Sequence, residues 1–291
     1  MVKNSVLAKI GVIGGSGMYD IEGIDDIKDI VVKTPFGDPS DVIIVGSLSG
    51  VRCAFLPRHG RGHTIVPSEV NSRANIYALK SLGVEQIVSI SACGSLKEEI
   101  KPRDFLIPDQ IFDATKGRPS TFFGSGIVAH VGFAHPFCGA MREIIHQEVK
   151  SQGIEHHFGG TYMCMEGPAF STKAESEFNR RQGFSVIGMT AVPEAKLARE
   201  AQMCYATIAL VTDYDVWKEG EEVSVEAVIA HMHANVDNSK RVLKYIMPRL
   251  AERSRTCTCG SALKHAIMTD PSKITPAIRE RLGLIINTYG K

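Results

Sequence analysis

The sequence carries almost no net charge: 33 Lys and Arg stand against 32 Asp and Glu, leaving +1. Without a basic excess there is no electrostatic case for nucleic acid or an anionic membrane as a partner. No apolar run reaches the ~18 residues that a spanning helix needs. The first residues lack a secretory pattern, so a cytoplasmic protein is the expectation. Internal repeats, low-complexity tracts and Pro- or Ser-rich linkers are missing as well. The seven cysteines (Cys53, Cys93, Cys138, Cys164, Cys204, Cys257 and Cys259) are scattered through a chain too large to need stapling. An odd number leaves at least one thiol free or pairs it between chains, and a mesophile's cytosol would keep most of them reduced. Cys257-Thr258-Cys259 is too tight for a conventional zinc knuckle, and no second Cys pair follows it. No metal site is expected there; plain thiols or a strained redox pair are.

What is present is an ordinary globular composition, 44% hydrophobic and 22% charged over 291 residues. That length permits one large α/β domain or two small ones. Apolar, β-prone runs predict strands at 9–13, 42–46, 52–56, 86–91, 105–107, 185–189 and 204–211. Helical periodicity predicts helices over 68–82, 139–152, 172–182, 192–202 and 224–252, the last with Ser224 as N-cap and Val225, Val228 and Ile229 on one face. Alternating strands and helices imply an α/β fold, with a central mixed, largely parallel sheet flanked by helices. The composition shifts after residue 252. The expected organisation is therefore a single domain over 1–252, with 253–291 as a C-terminal extension packed on it.

Chemistry concentrates where strands end. Gly14-Gly15-Ser16-Gly17 follows the first strand without dinucleotide or P-loop spacing. Its exposed N–H groups and one hydroxyl suit an anion, or the turn merely reverses the chain. FLPRHGRGH (55–63) places Arg58, His59, Arg61 and His63 in one loop, either a solvated basic loop or, with a planar guanidinium at a strand end, a grip on two phosphate oxygens. Ser91-Ala92-Cys93-Gly94 supplies a hydroxyl and small residues at a buried strand's end, where α/β sheets receive ligands. Cys93 has no acid or His beside it and reads as packing or pocket wall rather than nucleophile. Phe170, in EGPAFS, stacks a planar ring or fills the core. Met189 and Thr190 end another strand. The run Ile208-Ala209-Leu210-Val211 leads into Asp213 and Asp215, two carboxyls that extended geometry would point to one face. Crowding and burial raise such carboxyls, so the pair either sits in solvent or meets proton donors.

GGSG, PRHGRGH, SACGSLKEE, EGPAFS, MTAVPEAKLAREA and TDYDVW occur in the order and spacing of the purine nucleoside phosphorylase family, and most resemble its 5′-methylthioadenosine phosphorylases. The likeness spans roughly residues 9–250. It implies a single-domain nucleoside phosphorylase fold and phosphorolysis of 5′-methylthioadenosine, with inorganic phosphate as co-substrate and no cofactor. It also implies a homo-oligomer, a trimer or dimer of trimers. By the same resemblance Ser16, Arg58, His59, Ser91, Ala92 and Thr190 bind phosphate, and Met189 lies against the ribose. Phe170 and Ser171 line the base. Asp213 faces N7, and Asp215 the exocyclic amine. Val225 and Val228 enclose the methylthio group, helped by His130 from a neighbouring subunit. Were the source a thermophile, Cys138 with Cys204, or Cys257 with Cys259, would be the thiols to pair.

Three other readings stand beside this one. A broader purine nucleoside phosphorylase would act on adenosine, inosine, guanosine or methylthioinosine. Relatives selective for 6-oxopurines typically carry Glu where Ser171 stands and Asn where Asp213 stands, and both positions here favour adenine. A hydrolytic nucleosidase would turn over without phosphate. A silent nucleoside-binding module would keep the donors and show no turnover.

Overall fold

The computed structural model describes residues 6–15, 23–220 and 225–286, with the backbone alone for 225–229. Its strands are β1 (Ile10–Gly14), β2 (Ile24–Ile30), β3 (Ile43–Leu48), β4 (Val51–Pro57), β5 (Gln86–Ser95), β6 (Phe105–Ile107), β7 (Gln110–Asp113), β8 (His156–Phe158), β9 (Thr161–Cys164), β10 (Val186–Gly188) and β11 (Cys204–Asp213). Its helices are α1 (Ser72–Ser81), α2 (Gly139–Ser151), α3 (Lys173–Arg181), α4 (Ala191–Glu200), α5 (Val225–Glu252) and α6 (Pro276–Ile286). Every strand and helix expected from the sequence is there, within a few residues at its ends. The expected N-cap Ser224 lies outside the described residues. Helix α1 starts at Ser72 rather than 68 because Asn71 caps it, accepting from the Ala74 N–H. Helix α3 opens with a full capping box between Thr172 and Glu175.

Strands β2, β7, β8 and β9 were not anticipated. β2 (IDDIKDI) is an edge strand whose charged residues face solvent, so its composition reads as loop although charge suits an exposed edge. The other three are only three or four residues long.

The strands form one mixed sheet in the order β2-β3-β4-β1-β5-β10-β9-β7, with β11 pairing β5 and β6, and β6 pairing β8. β5 organises it. Gln86–Ser89 run parallel to β1, whereas Gly94 and Ser95 pair antiparallel with β10. On its other edge β5 runs parallel to β11 from Gln86 to Gly94. Between Ser89 and Gly94 the β1 side of β5 therefore has no strand partner among the described residues, and the sheet forks around that gap. Apolar side chains cover both faces: α1, α4 and α6 meet one through Leu79, Leu197 and Leu282, and α2 and α5 meet the other through Ile145 and Ile246. Leu263, Ile274, Ile278 and Ile285 carry the C-terminal segment into the first core.

The cysteines are free, and all but Cys257 are buried. Four of them do not stay scattered. The Sγ atoms of Cys138, Cys204, Cys257 and Cys259 all lie within 4.8 Å of one another.

Candidate active site

The gap in the sheet opens into a cleft enclosing about 1090 Å³, its mouth included. Arg58, His59, Ser91, Ala92, Thr190, Phe170, Met189, Asp213 and Asp215 all line it. Ala92 is the one exposed residue of β5, open to the cleft.

At one end three hydroxyls meet. Ser91 Oγ lies 2.7 Å from Thr190 Oγ1 and 3.0 Å from the Tyr162 hydroxyl, which is 3.3 Å from Thr190. The antiparallel register of β10 on β5 sends the chain after Gly188 back toward Ser91, which brings Thr190 there. Thr190 is the N-cap residue of α4, yet its hydroxyl makes no capping bond and turns to Ser91 instead. Tyr162 was not singled out from the sequence. Its hydroxyl passes so close to Gly188 that a Cβ there would sit 1.9 Å from it. Ser16 lies outside the described residues.

Arg58 differs from expectation. Its side chain is 2% exposed, and most of its donors are already engaged. Nε and Nη2 pair with the Glu194 carboxylate, Nη2 also donates to Ser89 Oγ, and Nη1 donates to the Ile90 carbonyl. Of five N–H groups, one on Nη1 is left to face the cleft beside Gly15, so a two-pronged grip on phosphate is not available. Glu194 itself accepts from the Ser89 and Tyr205 hydroxyls, making a buried charge pair with full hydrogen bonding. His59 differs too. Burial, with the Arg58 charge beside it, lowers its pKa to about 4. The ring is neutral at neutral pH, and Nδ1 lies 2.9 Å from the Ile65 carbonyl, which can only accept. Nδ1 must carry the hydrogen, leaving Nε2 as an acceptor suited to a protonated phosphate oxygen, not a cationic donor.

The acids occupy the other end. By register Asp213 sits opposite Gly94, three residues beyond Ser91, about 10 Å at an extended chain's rise. The two carboxyls do not share a face through extended geometry. The pairing of β11 with β5 shifts register between Val211 and Asp213, β11 ends at Asp213, and Asp215 is left-handed at φ +53. The turn folds back so that Asp213 Oδ1 accepts the Asp215 N–H at 2.8 Å, while Oδ2 accepts from Thr212 Oγ1 at 2.6 Å. Gly94 makes the approach possible, since a Cβ there would lie 2.8 Å from Asp213 Oδ1. Burial raises the Asp213 pKa against those two donors. Burial also raises Asp215, opposed by the Ser176 and Ser171 hydroxyls and assisted by the Asp213 charge. Asp215 Oδ2 is buried without a partner. The aromatics of the DYDVW run hold this turn: Trp217 Nε1 donates to the Ser95 carbonyl, its ring meets Tyr214 edge-on, and Arg180 covers it at 3.6 Å.

Phe170 is 54% exposed, so it is cleft wall and not core. Cys93 is wall as well. Ser171 is buried near Asp215 and does not line the cleft itself. The side chains of Val225 and Val228 lie outside the described residues. Further along the same helix, Met232 and Val236 line the cleft; they continue at helical spacing the stripe read from Val225 and Val228, which was the signal for them. His130 is exposed and lines no part of this cleft; its N–H donates to the Ala266 carbonyl.

Arg118 was also missed. Its side chain is 4% exposed, and it binds the Glu166 carboxylate and the carbonyls of Met165, Glu166, Met189 and Val192. These carbonyls border Met165, Met189 and Thr190, so Arg118 positions that wall. Arg118→Lys offers one ammonium to five acceptors in different directions. Stability should fall by roughly 1.5–3 kcal/mol, and kcat/KM should fall with the fold still intact. Thermal unfolding and steady-state kinetics check this; an unchanged kcat/KM removes Arg118 from positioning.

The phosphorylase superfamily model matches residues 9–247. An S-methyl-5′-thioadenosine phosphorylase of Geobacter sulfurreducens is 54% identical over 96% of this chain and 98% of its own. One from Hyperthermus butylicus is 52% identical over 91% of this chain and 98% of its own. A solved methylthioadenosine phosphorylase from an antarctic soil metagenomic library superposes with TM-score 0.93 at 46% identity, covering 97% of this chain and 99% of that one. A mutant adenosine/methylthioadenosine phosphorylase of Schistosoma mansoni, solved with methylthioadenosine, superposes with TM-score 0.83 at 38% identity, over 88% of this chain and 96% of that one. No described helix is long and apolar enough to cross a membrane. With likeness of this extent in sequence and in fold, the chain belongs to the phosphorylase superfamily.

Proposed function

We propose that this chain cleaves 5′-methylthioadenosine with inorganic phosphate, yielding adenine and 5-methylthioribose 1-phosphate. The observation that carries this reading is one cleft with three converging hydroxyls at one end and, at the other, two buried carboxyls whose pKa values burial raises. Phosphate sits against Ser91, Ala92 and Thr190, receives one Arg58 N–H, and presents a protonated oxygen to His59 Nε2. Ser16 stays part of this assignment. Met189 lies against the ribose and Phe170 against the base, with Ser171 behind the cleft wall beside Asp215. The apolar stripe of α5 that begins at Val225 and Val228 encloses the 5′-methylthio group, with His130 of a neighbouring subunit closing it.

Asp213, its pKa raised by burial, shares a proton with N7 as the glycosidic bond breaks. Asp215, with its unpartnered Oδ2, accepts from the 6-amino group. The anion held by the hydroxyls stabilises the oxocarbenium-like sugar and attacks C1′ from the far face. No metal or organic cofactor enters these steps. Turnover of methylthioadenosine to adenine should require phosphate and should exceed turnover of methylthioinosine to hypoxanthine. Chromatography of the released base with and without phosphate checks this. Equal release without phosphate would identify a hydrolase, and no release a binding module.

The chain also works as a closed, cytoplasmic homo-oligomer built on trimers, because His130 lies away from its own cleft and needs a neighbour's to serve. Light scattering should show the oligomer; a fully active monomer at micromolar concentration overturns it.

A further inference from the structure

We propose that Cys138, Cys204, Cys257 and Cys259 form a tetrathiolate site for a thiophilic divalent cation, zinc above all. Linear spacing hides it, because the partners of the Cys257-Thr258-Cys259 pair precede it by over fifty residues and come from separate elements. Cys138 is the N-cap residue of α2, Cys204 opens β11, and Cys257 and Cys259 flank the start of a 3₁₀ turn at Thr258–Ser261. Their four sulfurs lie within 4.8 Å of one another, with Cys257 3.8 Å from Cys138 and 3.3 Å from Cys204. A tetrahedral zinc site with Zn–S bonds of about 2.3 Å has sulfur–sulfur edges of roughly 3.8 Å, so the cluster closes on a cation with edge changes of up to about 1 Å.

The surroundings fit thiolates. Arg253 donates to three of the sulfurs: Nη2 lies 3.1 Å from Cys257 and 3.5 Å from Cys138, and Nη1 lies 3.8 Å from Cys204. Gln86 Oε1 holds the same Nη1 at 2.6 Å. Binding displaces the four thiol protons and leaves a net charge of about −2 on the thiolate complex, which the guanidinium partly offsets. The Cys138 side chain makes no capping bond and sits at the positive end of a thirteen-residue helix. A pair of disulfides would carry no charge and give Arg253 nothing to neutralise. Three sulfurs are buried, and the ligand set is closed, with no side left for substrate, as in structural zinc sites. The site would tie the C-terminal segment to the starts of α2 and β11. It lies at the opposite end of β11 from Asp213, so it is independent of the phosphorolysis reading.

Full-length protein prepared under reductant without an affinity metal should contain about one zinc per chain by mass spectrometry. Exchange with cobalt(II) should give the intense d–d and sulfur-to-cobalt bands of a tetrahedral tetrathiolate. Cys257→Ser combined with Cys259→Ser should lower bound metal at least tenfold with phosphorolysis retained. Should that variant fail to fold, the cobalt spectrum of the parent decides alone. Parent protein that, once reduced, takes up neither zinc nor cobalt overturns the proposal, whether its seven thiols all alkylate before reduction or four of them are masked as disulfides.

Discussion

Asp213→Asn should lower kcat for methylthioadenosine by about 10²–10⁴-fold, the range of a lost general acid. The substitution tests chemistry cleanly because the local fold can absorb it. Asp213 Oδ1 still accepts the Asp215 N–H as the amide oxygen. The amide nitrogen then faces Thr212 Oγ1, which can accept it while donating its own hydrogen to the Cys93 carbonyl, already 3.2 Å away. Burial raises the Asp213 carboxyl in the folded chain, so its ionisation opposes folding above the ordinary carboxylate range and the amide costs no stability on that account. A general acid works in its protonated form. The parent's kcat should therefore decline as pH rises through that raised value, and the variant should lose this limb. The amide N–H₂ suits a 6-oxo group, so activity on methylthioinosine should fall less or even rise, and Ser171→Glu in addition should extend the shift. The measurement is the ratio of kcat/KM for the two nucleosides. A ratio within about twofold of the parent's, the ~0.5 kcal/mol of an ordinary surface change, means that the carboxyls do not read the base.

Arg58→Ala should cost about 3–5 kcal/mol of stability, because it strands the Glu194 carboxylate in a site where that residue is 1% exposed. It should also raise the phosphate KM more than tenfold, the worth of a charge-assisted hydrogen bond, with the nucleoside KM little changed. The two losses separate in the double variant Arg58→Met with Glu194→Leu. Removing both charges restores most of the stability, since buried pairs are often no better than apolar replacements, but it restores no donor to the cleft. Denaturant titration and phosphate saturation curves check each arm. A double variant that regains both stability and the parent's phosphate KM would show that Arg58 serves the fold alone.

The positions of the chemistry were legible because the strand ends announce themselves: Ser91, Thr190 and Asp213 each follow an apolar run, and all three line the cleft. Their protonation and pairing were not legible. Glu194 stands 136 residues from Arg58, and only the folded sheet lays it across the guanidinium. The register shift at Val211 and the left-handed Asp215 cannot be read from a run of β-prone residues. Nothing in the sequence around Arg118 points to the four carbonyls that converge on it in the fold. β2 was invisible for the opposite reason, since its charges are what an exposed edge requires.

The fork at β5 has a further meaning. Unpaired strand edges usually lie at a sheet's rim, where they invite other chains to add on. This one lies in the interior, walled by β10 on one side and by Arg58 reaching the Ile90 carbonyl on the other. Enclosed in that way, the edge is sheltered from the strand addition that an edge at the rim invites. An edge that elsewhere would be an aggregation hazard faces a cleft of the same chain here.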